Sequence, residues 1–381
     1  MKRVESVDVV RGAIMIVMAL DHTRDFFGVP GVSPTDVSRA GAALFFTRWI
    51  TNICAPVFFL LTGTGACLLL RRKPAGEVSR FLLTRGLWLI VLDLVVLRCL
   101  SYQFNVDYRV TMLLVLWALG WSMIALSALV YLPLGAVAAF GIVTIAGHNL
   151  LDGIRPSTAI LAVLHGPGIV SNGPHVVFAS YPLIPWVGVT AAGFALGRIY
   201  TWPVDRRRTF LWRTGAALIA AFVVLRGLNV YGDPSRWKAQ ATTVATILSF
   251  LNTTKYPPSL LFLLMTLGPA LLALRAADAG TKGWLRPALV LGKVPMFYYI
   301  THFTLIHLLA VAACYARYGS AHWMFESPDL AHYPFTPPPG WGYSLPVVYA
   351  IWIGVVVALY PACRWFAAVK QRRRDAWLSY L

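Results

Sequence analysis

The chain has 381 residues, of which 58% are hydrophobic and only 13% are charged. Together with a mean hydropathy of +0.66, this composition is typical of polytopic membrane proteins and excludes an ordinary soluble globular domain. The formal net charge is +18, but the basic residues stand in short runs between apolar segments, as they do in the cytoplasmic loops of membrane proteins. This distribution argues against a nucleic-acid-binding protein.

Hydropathy predicts an all-α fold, a polytopic integral membrane helical bundle of about ten transmembrane helices, because each apolar segment suits the roughly 30 Å of hydrocarbon in a bilayer. We expect one domain over residues 1–381, embedded in a lipid bilayer. The predicted spans are 7–27, 43–70, 79–101, 109–131, 133–151, 176–199, 209–228, 257–275, 287–317 and 345–369. With both termini cytoplasmic, the basic runs 71–73, 205–208 and 370–374 all lie on the cytoplasmic side.

The first predicted span carries ionisable residues at both ends, and such groups are costly in a membrane unless they have a function. At 3.6 residues per turn, one face of this helix carries Asp8, Arg11, Met15, Met18, His22 and Asp25. Asp21 points about 100° away from His22. Because each residue rises about 1.5 Å, His22 stands roughly 20 Å from Asp8 along the axis, and a group bound at the cytoplasmic end reaches it only through an internal channel.

The second predicted span begins with polar residues at about the depth of His22. Arg48 and Asn52 are one helical turn apart near its outer end. Further along, Pro56 loosens the helix, and Gly63 and Gly65 allow close packing of helices.

Three strings in this region resemble a known family. They are R-x-x-S-V-D-x-x-R-G at Arg3 to Gly12, the Asp21-His22 pair, and PVFFLLTG at Pro56 to Gly63. They resemble the opening of the heparan-α-glucosaminide N-acetyltransferase-like membrane proteins in their shorter bacterial form. The resemblance implies a multi-pass enzyme of the bacterial cytoplasmic (inner) membrane that transfers an acetyl group from cytoplasmic acetyl-CoA to a sugar on the far side. It also implies a histidine near the outer end of the first span, the position of His22.

Acyl transfer from a thioester to a hydroxyl or amine needs a base and a group that stabilises the developing oxyanion. His22 is the candidate base, Asp25 could orient its ring, and Arg48 or Asn52 could stabilise the oxyanion. Asp21 is expected to pair with Arg24 or with a neighbouring helix. At the cytoplasmic end, the candidate contacts of the acetyl-CoA donor are Asp8, Arg11, Met15 and Met18, with an Asp8–Arg11 ion pair as the alternative interpretation.

Several polar residues are candidates for binding a saccharide or glycan acceptor. His148 and Asp152 are one helical turn apart, and His165 and His175 follow among glycines and prolines. Three histidines and an aspartate could bind a metal, but the spacings of the histidines match no compact zinc signature. We therefore predict acceptor binding and no metal. His302 lies about 140° around its helix from His307 and is the better inward candidate, although a buried structural histidine is an equal interpretation of either. The predicted acceptor contacts are Asp21, His148, Asp152 and His302.

Two other functional classes remain open. A transporter of a small polar or sugar-like substrate is the first, although the sequence shows no convincing internal repeat of the kind that many transporters contain. A non-catalytic membrane protein that binds lipid or sugar is the second. A homo-oligomer is compatible with the sequence. The acceptor, the length of the acyl chain and the choice between direct transfer and an acetyl-histidine intermediate are left open.

Overall fold

The computed structural model describes residues 4–31, 33–36, 40–154, 158–280, 282–330, 332–373, 375 and 378. Most of these residues are helical, as predicted. The α-helices are α1 (Glu5–Phe27), α2 (Ala42–Thr51), α3 (Cys54–Leu70), α4 (Ala75–Val91), α5 (Val115–Leu129), α6 (Leu134–Gly147), α7 (Ala159–Leu164), α8 (Leu183–Leu196), α9 (Val204–Leu228), α10 (Thr243–Leu251), α11 (Leu260–Ala277), α12 (Arg286–Lys293), α13 (Pro295–Tyr318) and α14 (Leu345–Arg372). Helix α4 continues as a π-helix over Leu92–Tyr102, and a 3₁₀ turn over His148–Leu151 follows α6.

Seven helical segments in the described part of the chain are long and apolar enough to cross a membrane. They are Ala42–Leu70, Leu134–Leu151, Leu183–Thr201, Val204–Leu228, Leu260–Ala277, Pro295–Tyr318 and Leu345–Arg372. Each corresponds to a predicted span, which confirms a helical membrane protein. The other three predicted spans, 7–27, 79–101 and 109–131, are largely helical but are not among these seven. The helix within 109–131, Val115–Leu129, is apolar but shorter. The count of ten and the cytoplasmic termini stay predictions.

A small β-sheet was not predicted. Strands β1 (Val110–Leu113), β2 (Gly168–Ser171) and β3 (Val176–Ala179) form it in the order β1–β3–β2. The predicted spans 109–131 and 176–199 were therefore wrong at their first residues, since helix begins only at Val115 and at Leu183. Short apolar runs rich in valine suit a strand as well as a helix, and hydropathy alone does not separate the two.

One predicted span consists of two helices. The predicted segment 287–317 is divided at Val294, whose φ of −130° and ψ of 48° are not helical. Val294 precedes Pro295, and the residue before a proline is disfavoured in the α-helical conformation because its backbone and side chain clash with the proline ring. Pro295 then begins α13 without a loss of hydrogen bonding, because the first amide of a helix has no partner within that helix.

Backbone contacts divide the chain into two compact units. The first unit comprises Met1–Cys54, Leu94–Thr111 and Thr281–Leu381, and the second comprises Ala55–Asp93 and Met112–Gly280. The single domain over residues 1–381 stays a prediction.

In the first unit, α1 lies directly against the backbone of α12. A Cβ atom added at Gly12 would lie 1.7 Å from the Ala288 carbonyl oxygen, and one added at Gly292 would lie 1.8 Å from the Asp8 carbonyl oxygen. Small residues permit such close approach in membrane proteins, where packing rather than water exclusion holds helices together. Helix α14 also contacts α1, because the Trp352 indole donates a 2.8 Å hydrogen bond to the Ile16 carbonyl.

In the second unit, glycines again mark the helix crossings. A Cβ at Gly63 of α3 would lie 1.9 Å from the Thr190 carbonyl oxygen, and one at Gly193 of α8 would lie 2.1 Å from the Leu60 carbonyl oxygen. The apolar string at Pro56 to Gly63 therefore contains a glycine that the α3–α8 contact requires.

Candidate functional site

His22 lies in the last turns of α1 and is half-buried against α13. Its ring centroid is 4.3 Å from that of Phe303, 5.3 Å from that of His302 and 6.3 Å from that of Tyr299. All three neighbours belong to one stretch of α13, so this helix fixes the position of the His22 imidazole.

His302 is fully buried and its protonation pattern follows from its hydrogen bond. Its Nδ1 lies 2.8 Å from the Tyr298 carbonyl oxygen, which can only accept, so Nδ1 carries the hydrogen in the neutral ring. Its Nε2 is buried and has no hydrogen-bond partner among the described residues. The ring is further held by stacking on Tyr298, at 5.0 Å between centroids and 6° between planes. His302 therefore presents a basic nitrogen in the neighbourhood of His22.

His307 has a different role. Its Nδ1 is 2.8 Å from the Ser101 carbonyl oxygen and its Nε2 is 2.9 Å from the Met324 carbonyl oxygen. The ring also stacks on Phe104 at 3.9 Å. Since both nitrogens lie against backbone carbonyls, His307 ties two segments of the chain to α13, and His302 is the better functional candidate of the two.

Two tyrosine hydroxyls lie near this histidine pair and were not predicted as site residues. The hydroxyls of Tyr102 and Tyr299 are 3.2 Å apart, and the Tyr102 ring is 4.1 Å from that of Phe303. Tyr299 was noted in the sequence only as a neighbour of His302. Tyr102 ends the π-helix and lies far from the other residues in the sequence, so no local pattern identifies it.

A network of ion pairs stands beside His22. The Asp21 carboxylate lies 2.9 Å from the Arg24 guanidinium and 3.1 Å from that of Arg48. Arg24 also pairs with Asp25 at 2.6 Å, and Arg48 donates a 2.9 Å hydrogen bond to the Thr51 hydroxyl. The network thus joins α1 to α2. These contacts place Asp25 against Arg24, and they place Arg48 against Asp21.

Asn52, the fourth predicted catalytic residue, is buried at the end of α2. Its position one turn beyond Arg48 is as predicted from the spacing. Its part in catalysis stays a prediction.

A cavity of about 600 Å³ opens at the same end of α1. The chain after α13 closes it, because the Trp341 indole donates to the Phe26 carbonyl at 2.9 Å and the Tyr343 amide donates to the Phe27 carbonyl at 2.8 Å. Gly342 between them has a φ of 118°, and a Cβ there would lie 2.7 Å from Val29 Cα, so glycine is required. The lining combines charged and aromatic side chains, including Arg24, Asp25, His332, Phe335, Trp341 and Tyr343.

The other end of α1 holds the residues predicted to contact acetyl-CoA. Arg11 lies 3.0 Å from the Asp8 carboxylate and donates a 3.3 Å hydrogen bond to the Gly292 carbonyl. Its side chain keeps 21% of its surface exposed, whereas Met15 and Met18 are buried in helix packing. The Asp8–Arg11 pair given as the alternative is therefore present, and a role in donor binding stays a prediction.

The second unit brings His148, Asp152 and His165 together, whereas His175, which the sequence grouped with them, is exposed and outside this cluster. One ligand atom from each lies within 4.8 Å of the others, and His165 Nε2 is 3.3 Å from an Asp152 oxygen. His148 and His165 are 3% and 5% exposed. Their binding to an acceptor stays a prediction.

The chain is thus a polytopic helical membrane protein with a histidine pair, tyrosine hydroxyls and an aromatic cavity at one end of its first helix. Residues 3–231, more than half of the chain, match the family model of the heparan-alpha-glucosaminide N-acetyltransferase catalytic domain. The chain belongs to this family, and membrane-bound acyl transfer is its functional class. The matched range contains His22, Arg48 and His148, and His302 lies beyond it. A search of curated proteins gives no match.

Proposed function

We propose that this protein transfers an acetyl group from cytoplasmic acetyl-CoA to a hydroxyl or amine of a saccharide or glycan on the extracytoplasmic side of a bacterial inner membrane. The observation that carries the proposal is the contact of His22 with His302, Phe303 and Tyr299, next to a cavity lined by aromatic and charged side chains. Family membership supports the acyltransferase class.

In the proposed reaction, the acceptor oxygen or nitrogen attacks the thioester carbonyl while His22 takes its proton. The tetrahedral intermediate then expels the coenzyme A thiolate, which takes the proton that His22 received and leaves as the thiol. General acid–base help of this kind typically contributes about 10² to 10⁴ in rate. His302 Nε2, which is buried without a partner among the described residues, is the next candidate for the base if His22 is not the group that takes the proton.

The proposed oxyanion donors differ from those expected from sequence. Arg48 is paired with Asp21, and using it on the substrate would leave a carboxylate without one of its two cations. The Tyr299 ring lies 6.3 Å from the His22 ring between centroids, its hydroxyl is 3.2 Å from that of Tyr102, and neither hydroxyl carries a charge to be compensated. We therefore assign the oxyanion role to these tyrosines and a positioning role to Arg48.

The acceptor is proposed to occupy the cavity beside Arg24 and Asp25. Sugar rings have apolar faces that pack on aromatic rings and hydroxyls that bond to charged groups, and the cavity offers both through Trp341 and Tyr343 and through Arg24 and Asp25. At the other end of α1, Arg11 is proposed to meet a coenzyme A phosphate, since its guanidinium remains partly exposed.

The proposal is tested with inverted membrane vesicles, whose cytoplasmic face is outward. Labelled acetyl-CoA is supplied outside and a panel of amino sugars and neutral sugars is sealed inside, and the lumen is analysed by mass spectrometry. We expect acetylated sugar inside and free coenzyme A thiol outside. Uptake of unmodified sugar that needs no acetyl-CoA would identify a transporter instead. Absence of both results would leave a non-catalytic binding protein and contradict the proposal.

A further inference from the structure

The second unit contains a histidine–carboxylate cluster that the proposed chemistry at His22 does not use. His148 begins the 3₁₀ turn that follows α6, Asp152 directly follows that turn, and His165 directly follows α7. The three residues thus come from two short segments whose conformation is set by helix termini. Their ligand atoms lie within 4.8 Å of one another.

The burial of the two imidazoles makes this arrangement unusual. His148 is 3% exposed and His165 is 5% exposed. At ordinary hydrogen-bond geometry, the two ring nitrogens of His148 and Nδ1 of His165 have no partner among the described residues, although the Pro258 backbone lies close to the His148 ring. Buried polar groups without good partners are costly and rare in folded proteins, so this cluster points to a ligand that the imidazoles can bind.

The shape of the cluster restricts that ligand to something small. The two rings are 6.0 Å apart between centroids and inclined by 59°, so their nitrogens converge on a narrow space rather than on an open groove. A sugar hydroxyl would have to enter between two imidazoles that are almost inaccessible to solvent. A monatomic cation needs far less room, and Asp152, whose side chain is 19% exposed, leaves it a path of entry.

We propose that His148, Asp152 and His165 bind one divalent transition-metal ion, for which Zn²⁺ is the best match. Two imidazole nitrogens and one carboxylate oxygen are a common ligand set for zinc, at about 2.0–2.2 Å, with a fourth position left for water. In a tetrahedral site, two ligands at this distance from one ion are about 3.4 Å apart. The ligand atoms, which lie within 4.8 Å of one another, would therefore have to move about 1 Å closer by side-chain rotation to close the site.

Neighbouring groups already orient the ligands. The Asn149 amide donates a 2.7 Å hydrogen bond to the Asp152 carboxylate, and the Asn149 side-chain oxygen accepts a 2.8 Å bond from the Leu260 amide. The carboxylate that would bind the ion is thus anchored through Asn149 to the first turn of α11. Outer partners of this kind hold metal ligands in place, and their loss typically weakens binding about 10- to 100-fold.

The sequence argued against a metal because the spacings of His148, His165 and His175 match no compact zinc signature. Such signatures describe sites built within one short segment. Here α7 lies between Asp152 and His165 in the sequence, so the site forms only through tertiary contacts.

The test uses full-length protein without a histidine tag, stripped with a chelator and titrated with Co²⁺ and with Zn²⁺. We expect about one equivalent of Co²⁺ with visible absorption bands of a tetrahedral or five-coordinate site, displaced by Zn²⁺. His148→Ala should weaken metal binding by more than the 10- to 100-fold that is typical for the loss of an outer partner. His175→Ala is the matched control, because His175 is exposed and outside the cluster, and it should bind like the wild type.

A second measurement does not depend on a substitution that could disturb folding. X-ray absorption of zinc-loaded wild type should show only nitrogen and oxygen ligands at about 2.0–2.2 Å. Asp152→Asn, which keeps the shape of the side chain, should remove the rise in melting temperature that Zn²⁺ gives the wild type. Failure of the wild type to bind either ion, sulfur ligation in the spectrum, or binding that survives His148→Ala would overturn the proposal.

Discussion

The imidazoles of His22 and His302 lie 5.3 Å apart between centroids, one on α1 and the other on α13. His302 is locked by its bond to the Tyr298 carbonyl and by stacking on the Tyr298 ring. The position of the proposed base is therefore set by a helix that is distant in sequence, and changes on α13 should alter catalysis without touching α1.

His22→Ala should abolish acyl transfer while leaving coenzyme A affinity within a few-fold of wild type. A base acts mainly in the transition state, so its removal is expected to lower kcat by about 10² to 10⁴ and to change ground-state binding little. Release of coenzyme A thiol and calorimetry with coenzyme A measure the two quantities. His322→Ala is the control, because His322 is exposed and pairs with Glu326. Near wild-type activity in a folded His22→Ala protein would exclude His22 as the base.

Tyr299→Phe should lower kcat with little change in KM, and Tyr102→Phe should do the same more weakly. Removing one oxyanion donor typically costs about 10² to 10³ in kcat, and phenylalanine preserves the ring packing around Phe303. Steady-state kinetics with the acceptor found in the vesicle experiment gives both constants. Tyr315→Phe, at a tyrosine that is 65% exposed, serves as the control. If both buried variants kept wild-type kcat, the oxyanion role would return to Arg48 or Asn52.

Gly12→Ala should prevent the close contact of α1 with α12. Its new methyl group would meet the Ala288 carbonyl oxygen at 1.7 Å, and backbone atoms there cannot move aside as a flexible side chain could. We expect a loss of about 3 kcal/mol in the free energy of unfolding, the upper end of typical overpacking costs. Thermal melting in detergent measures it. Gly354→Ala in α14 is the matched control, because nothing lies within 4 Å of a Cβ at that position. Equal melting temperatures for the two variants would contradict the α1–α12 contact.

Local patterns in the sequence predicted much of α1 and its neighbours. The Asp8–Arg11 and Asp21–Arg24 pairs have a spacing of three, which places both partners on one side of a helix, and both pairs are present. The long apolar helices were also predictable from local sequence, because a helix that spans lipid needs only sufficient length and apolar composition.

The rest of the candidate site depends on tertiary contacts, which no local sequence pattern reveals. Tyr102 meets Tyr299 only because the π-helix and α13 pack together, and the cavity exists because the segment around Trp341 folds back onto the Phe26 carbonyl. The strands β1 and β3 were missed for another reason. Their apolar residues satisfy a hydropathy window whether the backbone is extended or helical.

The membrane orientation can be measured by cysteine labelling. In a background without native cysteines, Gly76→Cys and Asp205→Cys should be shielded from an impermeant reagent in intact cells, and Gly173→Cys and Glu326→Cys should react. All four positions are exposed, so accessibility depends on the side of the membrane and not on burial. The basic runs near positions 76 and 205 motivate the assignment. Permeabilised cells, in which all four should react, are the control. The reverse pattern would place His22 at the cytoplasmic face and remove the reason to propose transfer across the bilayer.

The pair of Arg48 with Asp21 should contribute to stability more than to chemistry. The two side chains are 13% and 16% exposed, so removing one leaves a poorly solvated charge in the network. Arg48→Met and Asp21→Asn should each lower the melting temperature. The double variant should lose less free energy of unfolding than the two single variants together, with a coupling energy of about 0.5 to 3 kcal/mol. Arg109→Met, at an exposed arginine, is the control and should stay within about 0.5 kcal/mol of wild type. Additive losses would mean that the two residues do not interact. A folded Arg48→Met protein with a normal melting temperature but no activity would instead assign Arg48 to the reacting groups.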